Sequence, residues 1–167
     1  MSSQPVEACE VCGFVWASVP REQVGSRIRE GARGIVATLE ADPAAAVVRA
    51  TPQRWSRLEY AAHVRDVLLH VRDRFVIGLA EHDPTFKPLY RDERVDLGLY
   101  RADTVALVSA ELTVAAGLFA RTFDQIDDAA LARSVQYAYP TMQTRTLLWM
   151  GQQVLHEVEH HRADIDA

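Results

Sequence analysis

Two histidines four residues apart near the end of the sequence are the first candidates for chemistry. His156 and His160 lie in a stretch with helical periodicity, where this spacing places both rings on one face, about one turn apart. Two imidazoles so placed can share one divalent cation. A helical projection puts them opposite the apolar side of the helix. The pair therefore indicates a metal site, with a favourable charge pattern at a helix C-terminus as the alternative.

A third histidine, His63, lies on an earlier stretch of helical periodicity and shares a face with other polar residues. The polar residues within about 60° of it, at 100° per residue, are Glu59, Asp66, His70 and Arg74. Arg65 and Arg72 form a second polar stripe on the far side. An ordinary surface helix has one polar face. One stripe can therefore line a cleft, although both can also be solvated, with the arginine stems lying along apolar surface.

Established catalytic motifs fit the sequence less well. The segment from His156 to His160 has the His-Glu-x-x-His form of zinc proteases, with Glu157 as the candidate base. The longer metzincin pattern requires glycine at Ala163 and a metal ligand at Asp166. A ferritin-like di-iron site requires two Glu-x-x-His pairs, and the sequence has one. It has no nucleophile elbow. A protease, a di-iron protein and a serine hydrolase are therefore disfavoured.

Two cysteines, Cys9 and Cys12, form a Cys-x-x-Cys pair in a leader predicted at residues 1–19. Such a pair can be half of a metal site completed by other residues or a second subunit, a redox-labile pair, or two ordinary thiols. Two sulfurs do not fill a tetrahedral shell, so we expect no tightly bound metal here in a monomer. We expect Phe14 and Trp16 to fix the segment by packing on the following domain, with the cysteines outside the active centre.

Four stretches with the periodicity of amphipathic helices position these residues. The predicted helices span residues 21–40, 57–81, 104–124 and 144–165. Ser56 and Glu59 have the spacing of a capping box at the start of the second helix, and Asp103 is the predicted N-cap of the third. The long connections are predicted as loops, apart from a short strand pair around Val135 and Thr141. The sequence thus predicts one all-α domain, a four-helix bundle over residues 20–167.

Composition excludes several classes of partner. The 167 residues have a formal net charge of −5, with acidic and basic residues interspersed, whereas nucleic-acid binding requires a clustered basic surface. No apolar run approaches the roughly 20 residues of a membrane span. The first residues lack the basic start and apolar stretch of a signal peptide. We therefore predict a cytoplasmic protein that binds neither nucleic acid nor membrane.

Two segments resemble the signatures of one family. Residues 55–66 are similar to the second-helix signature of the DinB-like (YfiT-like) metal-dependent superfamily, and residues 155–165 resemble its fourth-helix signature. The resemblance implies a four-helix bundle of DinB/YfiT-like type, here with a short N-terminal Cys-x-x-Cys segment. It also implies one divalent metal, bound by one histidine of helix two and two positions four apart on helix four, which correspond to His63, His156 and His160. The mycothiol-dependent maleylpyruvate isomerase branch has glutamate where this sequence has His156, which disfavours that activity.

The resemblance also implies a function. Family members of known activity are mostly thiol-dependent transferases or isomerases that use mycothiol, bacillithiol or glutathione. The first hypothesis is therefore a divalent-metal-dependent thiol S-transferase that acts on an electrophilic small molecule, with mycothiol as a candidate cosubstrate. The alternatives are a hydrolase or isomerase that uses bound water, and a non-catalytic binding module stabilised by its metal. Zinc is the first candidate metal, with nickel or iron as alternatives.

Further roles fall to polar residues near the predicted metal ligands. The candidates for acid–base catalysis or for orienting a ligand imidazole are Asp66, His70 and Glu157, and those for holding an anionic cosubstrate are Arg74 and Arg145. The fourth helix has Leu147 and Val154 on one face and Trp149 on another. This second hydrophobic face predicts a weak homodimer.

Overall fold

The computed structural model describes residues 7–138 and 141–167. In chain order its elements are a 3-10 turn (Trp16–Ser18), α1 (Arg21–Ala41), α2 (Pro43–Ala46), α3 (Arg57–Ala80), β1 (Thr85–Phe86), α4 (Arg91–Asp96), α5 (Val105–Asp124), α6 (Asp128–Leu131), β2 (Ser134–Tyr137), β3 (Gln143–Thr146) and α7 (Leu147–Asp166). The long helices α1, α3, α5 and α7 are the four that the sequence predicts. Residues 1–6 of the predicted leader and residues 139 and 140 of a predicted loop lie outside the described residues.

The four long helices pack as a bundle around an aromatic centre. α1 and α3 each pack against both α5 and α7. Phe75 of α3 meets Phe119 and Phe123 of α5 edge-on, with ring centroids 5.6 and 5.7 Å apart, and all three are at most 1% exposed. Burial of such apolar surface, at about 25 cal/mol per Å², supplies most of the stabilisation. It also holds α3 beside α7, and these two helices supply the polar residues described below.

The starts of the helices are set by side-chain caps. The predicted capping box is confirmed: Ser56 accepts from the amide of Glu59, and Glu59 accepts from the amide of Ser56. The predicted N-cap Asp103 was wrong, because Thr104 is the N-cap of α5 and its hydroxyl accepts from the amide of Leu107 at 3.3 Å. The carboxylate of Asp103 instead pairs with Arg65 at 3.1 Å.

A three-stranded sheet occupies part of the connections that were predicted as loops. β1 pairs parallel to β2, and β2 pairs antiparallel to β3, with Val135 opposite Arg145. The predicted strand pair is therefore present, but its second strand lies a few residues after Thr141. Because residues 143–146 pair as β3, the last helix begins at Leu147, with the hydroxyl of Thr146 capping it, and not at residue 144.

One helix departs from the prediction that no segment is long and apolar enough for a membrane span. Among the described residues, α5 meets that requirement by length and composition alone. The core helix of a bundle meets it equally, because it is also long and apolar. In this structure α5 packs against α1 and α3, with Leu112 and Phe119 at most 1% exposed.

The leader folds back onto α7. Ala8 and Val15 form an antiparallel bridge, and Phe14 and Trp16 are buried. The Trp16 ring stacks on Trp149 of α7 at a centroid distance of 6.2 Å. The expectation that Phe14 and Trp16 fix this segment is confirmed. The division into a leader and a bundle domain at residue 20 stays a prediction.

The leader also accounts for the second hydrophobic face of α7. Leu147 and Val154 are buried in the bundle, whereas Trp149 packs against Trp16 of the leader and Tyr137 of β2. Both faces are thus covered within one chain. They no longer argue for self-association, and the homodimer stays a prediction.

Candidate metal centre

α3 and α7 bring three potential metal ligands together. His63 lies on α3, Glu157 and His161 lie one turn apart on α7, and one ligand atom of each lies within 4.8 Å of the others. The Nε2 atoms of both histidines are 3.4 Å from Oε2 of Glu157. We call this group the His2Glu centre. The same donor set occurs in catalytic zinc sites, where it leaves a position for water or substrate.

This centre differs from the predicted site by one helical position. The structure groups His156 and His160 with Cys9 and Cys12. The residues that directly follow these two histidines, Glu157 and His161, lie together with His63. The segment His-Glu-Val-Glu-His-His contains two overlapping pairs with a spacing of four. Because successive helical residues are 100° apart, the two pairs present different faces. The pair Glu157 and His161 faces α3, and the pair His156 and His160 faces the leader.

The charges within the His2Glu centre suit a cation. Burial raises the pKa of Glu157, but hydrogen bonding to His161 and His63 outweighs burial and holds this pKa well below its ordinary value. Burial lowers the pKa of His63, against the opposing effect of Glu157. At neutral pH, Glu157 is therefore ionised and His63 is neutral, as metal ligands must be. Burial also lowers the pKa of His161, but hydrogen bonds with Asp164 and Glu157 outweigh it and raise this pKa. A cation bound at this centre would therefore have to displace a proton from His161.

Hydrogen bonds behind the ligands fix their orientation. Nδ1 of His161 donates to Asp164 at 2.9 Å, which leaves Nε2 facing Glu157. Nε2 of Gln153 donates to Oε1 of Glu157 at 2.7 Å. Oε1 of Gln153 in turn accepts from Nε1 of Trp16 at 2.9 Å. The leader is therefore connected to the ligand carboxylate through two hydrogen bonds.

A cavity of about 290 Å³ lies beside the His2Glu centre. His63 and Glu157 line it, together with the apolar side chains of Val67, Val71, Met150 and Val154. The segment from residue 87 to 93 completes the wall and contributes two basic residues, Lys87 and Arg91, and two acidic ones, Asp92 and Glu93. Such a cleft suits a small molecule that has an apolar body and a polar or charged group.

Two further predicted site residues, His70 and Arg74, also line this cleft. Arg74 donates to Nε2 of His70 at 2.7 Å and to the backbone carbonyl of Lys87. Because a guanidinium is only a donor, Nε2 of His70 is the acceptor and Nδ1 carries the proton. Burial and the neighbouring Arg74 lower the pKa of His70 and keep it neutral. His70 is therefore neutral and carries its proton on Nδ1, and its role as an acid–base residue stays a prediction.

Asp66, a predicted acid–base residue, is not among the residues that line this cleft. Its carboxylate accepts from Arg65 at 3.0 Å, from Arg94 at 2.7 Å and from the hydroxyl of Tyr100 at 2.9 Å. The bonds from Arg94 and Tyr100 thus join α3 to the segment around α4. Asp66 positions the wall of the cleft and does not face it.

Arg145, a predicted cosubstrate ligand, is also outside the cleft. It lies on β3, pairs with Glu7 of the leader at 2.7 and 2.9 Å, and stacks over the Trp149 ring at 4.4 Å. The strand pairing of β3 directs Arg145 towards the leader, so the structure does not bring it together with Arg74.

Comparison with known proteins agrees with this fold. Residues 26–165 match the DinB superfamily. The chain belongs to this superfamily. None of the curated proteins matches the sequence.

Two kinds of protein of known structure are similar in fold to this DinB-superfamily chain. It is similar to YfiT from Bacillus subtilis, a probable metal-dependent hydrolase with an unusual four-helix bundle topology. The identity is 17% and the TM-score 0.77, over 98% of this chain and 90% of YfiT. It is also similar to the mycothiol-dependent maleylpyruvate isomerase, with 17% identity and a TM-score of 0.72. That match covers 92% of this chain and 64% of the isomerase. At these identities the likeness is one of fold.

Sequence reasoning missed three residues near the centre of this DinB-superfamily member. His161 offered a signal, since it directly follows a residue of the predicted site. Lys87 offered one too, as the single lysine of the sequence. Trp16 offered none, because nothing in its local pattern links it to Gln153, which lies 137 residues away.

Proposed function

We propose that this protein is a divalent-metal-dependent enzyme whose metal is held by His63, Glu157 and His161, and whose substrate binds in the adjacent cleft. One observation carries the proposal: His63 and Glu157 are both potential metal ligands and cleft-lining residues. Three protein ligands leave a coordination position for another molecule. A metal beside a cleft can therefore take part in a reaction, which a fully enclosed one cannot.

The residues of the chain prepare this site for chemistry. When bound, a divalent cation lowers the pKa of a coordinated thiol or water and polarises an electrophile. Asp164 and Gln153 hold His161 and Glu157 in their orientations, so little reorganisation is needed when the site is used. The Nδ1–H group of His70 can donate to negative charge that develops on a substrate.

Within this class, a thiol S-transferase is our first candidate. In such a reaction the thiol loses its proton and the sulfur bonds to an electrophilic carbon. That carbon gives up either its bond to a leaving group, which departs with the electron pair, or the π bond of an activated double bond, whose neighbouring carbon then takes up a proton. The mycothiol-dependent isomerase among the similar structures supports this choice. The argument against that branch also disappears, because the first α7 position of the His2Glu centre is Glu157 and not His156. A small thiol such as mycothiol is accordingly the proposed cosubstrate, with zinc as the first metal to test.

A metal-dependent hydrolase is the second candidate. YfiT, described as a probable hydrolase of this kind, is similar over nearly the whole chain. The same His2Glu centre would serve, with water in place of the thiol.

The cleft favours an anionic substrate for either reaction. Lys87, Arg74 and Arg91 line it, and of its three carboxylates the most enclosed, Glu157, belongs to the metal centre and would be neutralised by the cation. Asp92 and Glu93 are exposed at the rim. The apolar walls from α3 and α7 suit the carbon skeleton of a small organic acid.

A screen with reconstituted protein tests the proposal. Protein loaded with zinc, nickel or iron is combined with small thiols and electrophilic organic acids, and loss of free thiol and formation of product are followed. His63→Ala and Glu157→Gln should lose about one equivalent of metal and at least about a hundredfold in activity, a few kcal/mol of transition-state stabilisation. Glu159→Gln is the matched control, since Glu159 lies on the same helix but pairs with Arg27 of α1. Full activity in His63→Ala and Glu157→Gln would refute the proposal.

A further inference from the structure

A second cluster of potential metal ligands lies where the leader meets α7. The sulfurs of Cys9 and Cys12 and one ring nitrogen each of His156 and His160 all lie within 4.8 Å of one another. We propose that these four side chains bind a structural zinc ion that joins the leader to α7, separate from the metal of the His2Glu centre. We call this group the Cys2His2 cluster.

The backbone of the leader presents both sulfurs to α7. The amide of Gly13 donates to the carbonyl of Cys9 at 2.8 Å, and the amide of Cys9 donates to the carbonyl of Phe14 at 2.8 Å. Gly13 has a φ of +72°, a conformation that glycine adopts without strain. This turn folds the Cys-x-x-Cys segment so that the two sulfurs converge. The convergence is a property of the local chain and does not depend on a second subunit.

The burial of His156 points to a further ligand. It is 9% exposed, and neither of its ring nitrogens has a hydrogen-bond partner among the described residues. The rings of Phe14 and Trp16 pack against it at centroid distances of 5.2 and 4.9 Å. A buried polar atom without a partner costs about 1–3 kcal/mol. A bond from one nitrogen to zinc removes that cost for this nitrogen.

His160 has the contacts of a zinc ligand on both ring nitrogens. Nδ1 lies 4.0 Å from Sγ of Cys9, and Nε2 lies 3.8 Å from Oδ2 of Asp164. Two ligands of a tetrahedral zinc, with bonds of about 2.3 Å to sulfur and 2.0 Å to nitrogen, are roughly 3.5 Å apart. Small side-chain movements therefore suffice to close the shell. The carboxylate behind the second nitrogen is the usual outer partner of a zinc-bound imidazole.

The donor set determines the role of this zinc. Two thiolates and two imidazoles fill a tetrahedral shell, and the spacings Cys-x2-Cys and His-x3-His are those of structural zinc sites. Thiolates also favour zinc over harder cations. The ion would hold the leader on α7, and with it the hydrogen bonds that run from Trp16 through Gln153 to Glu157. This proposal replaces the expectation that the cysteines hold no metal in a monomer, which rested on two ligands only.

Metal analysis and cobalt substitution test the Cys2His2 cluster separately from the His2Glu centre. Protein purified under reducing conditions and supplied with zinc should hold about one equivalent more than Cys9→Ser/Cys12→Ser. Protein loaded with Co²⁺ should show thiolate-to-cobalt charge-transfer absorption. That absorption should persist in His63→Ala, which leaves the Cys2His2 cluster intact. It should be lost or shifted in His156→Asn, which keeps both cysteines.

Three results would overturn the proposal. The first is an unchanged zinc content in Cys9→Ser/Cys12→Ser whose helicity by circular dichroism is intact. The second is the absence of thiolate-to-cobalt absorption in the parent. The third is a Cys9–Cys12 disulfide that persists under the reducing conditions. A single zinc that requires the cysteines but not His63 supports the Cys2His2 cluster and contradicts the proposed function. A single zinc that requires His63 but not the cysteines contradicts the Cys2His2 cluster and leaves the proposed function standing.

Discussion

His161 donates from Nδ1 to the carboxylate of Asp164 over 2.9 Å. The same carboxylate oxygen lies 3.8 Å from Nε2 of His160. Asp164 thus hydrogen-bonds a histidine of the His2Glu centre and lies next to a histidine of the Cys2His2 cluster. It lies one turn beyond both histidines on α7, where a single side chain can reach them.

Replacing Asp164 should therefore weaken metal binding while the fold is kept. Asp164→Asn retains an oxygen that accepts from His161 but removes the negative charge that makes the imidazole more basic. We expect roughly a 10–100-fold loss in metal affinity at the His2Glu centre, the usual effect of removing an outer partner. Competition titration with a chelator measures it in the Cys9→Ser/Cys12→Ser background, where the second cluster cannot contribute. Asp166→Asn is the control, since Asp166 contacts Thr38 and Arg162; an equal loss in this variant would contradict the argument.

The hydrogen bonds from the leader make a second prediction. Trp16→Phe keeps an aromatic ring against His156 but removes the N–H that binds Gln153. Gln153 then no longer fixes Glu157, and we expect metal affinity at the His2Glu centre to fall several-fold with little change in melting temperature. Trp149→Phe removes the N–H that Trp149 directs to Glu7 and serves as the matched control. Unchanged affinity in Trp16→Phe would show that the leader does not act on the centre.

A tight contact between Gly151 of α7 and Phe123 of α5 predicts a pair of opposite stability changes. A methyl group added at Gly151 would overlap the ring of Phe123, which is buried and cannot move aside, so Gly151→Ala should cost about 1–3 kcal/mol. At Gly117 of α5 the added methyl meets only the end of the Arg121 side chain, at 3.3 Å. Gly117→Ala should therefore gain about 0.5–1 kcal/mol from helix propensity. Denaturant unfolding of both variants checks the prediction, and equal effects would contradict it.

Local patterns were sufficient to predict the bundle but not which of the potential ligands come together. The capping box at Ser56 and the four apolar stripes depend on residues close in sequence, and these features were predicted correctly. The choice between His156 and Glu157 depends on the rotation of α7 about its axis. That rotation is set by packing against α1 and α3 and against the leader. Both residues have a partner four positions later, so periodicity alone cannot distinguish the two pairs.

The Cys2His2 cluster could not be predicted from local patterns either, because its ligands come from the two ends of the chain. Cys9 and His160 are 151 residues apart, and their approach depends on how the leader lies on the finished bundle. The sequence contains the spacing of the two cysteines and the spacing of the two histidines, but it does not show that the two pairs lie together in the fold. β1 was missed for a similar reason, because two residues have no periodicity and this strand forms only by pairing with β2.

The capping box predicts a pH dependence of stability. Burial raises the pKa of Glu59, but hydrogen bonds from Arg49 and Ser56 outweigh it and lower this pKa below its ordinary value. A carboxyl whose pKa is lower in the folded state stabilises the fold above its unfolded pKa of about 4.3, and this contribution is lost as the pH falls through the folded value. Glu59→Gln keeps the capping hydrogen bond and removes the charge. It should cost about 1 kcal/mol at pH 7 and progressively less below about pH 4.

Chemical denaturation of the parent and Glu59→Gln across this pH range measures the difference in the free energy of unfolding. Glu40→Gln, an exposed position near the end of α1, is the control. A difference between parent and Glu59→Gln that stays constant with pH would show that the charge of Glu59 contributes nothing.

The single lysine of the sequence allows a direct test of the anionic substrate. Lys87 is exposed, lines the cleft, and has no ion pair among the described residues. Acetylation removes its charge and should raise the KM for an anionic substrate by up to about fivefold, because one exposed charge contact contributes roughly 0.2–1 kcal/mol, while kcat changes little. Lys87→Arg keeps the charge but resists the reagent, so its KM should be unaffected by the same treatment, which also controls for acetylation of the N-terminal amine. A small dicarboxylate should slow acetylation of Lys87 in the parent if anions bind beside it. Equal KM values before and after complete acetylation would show that the substrate makes no use of this charge.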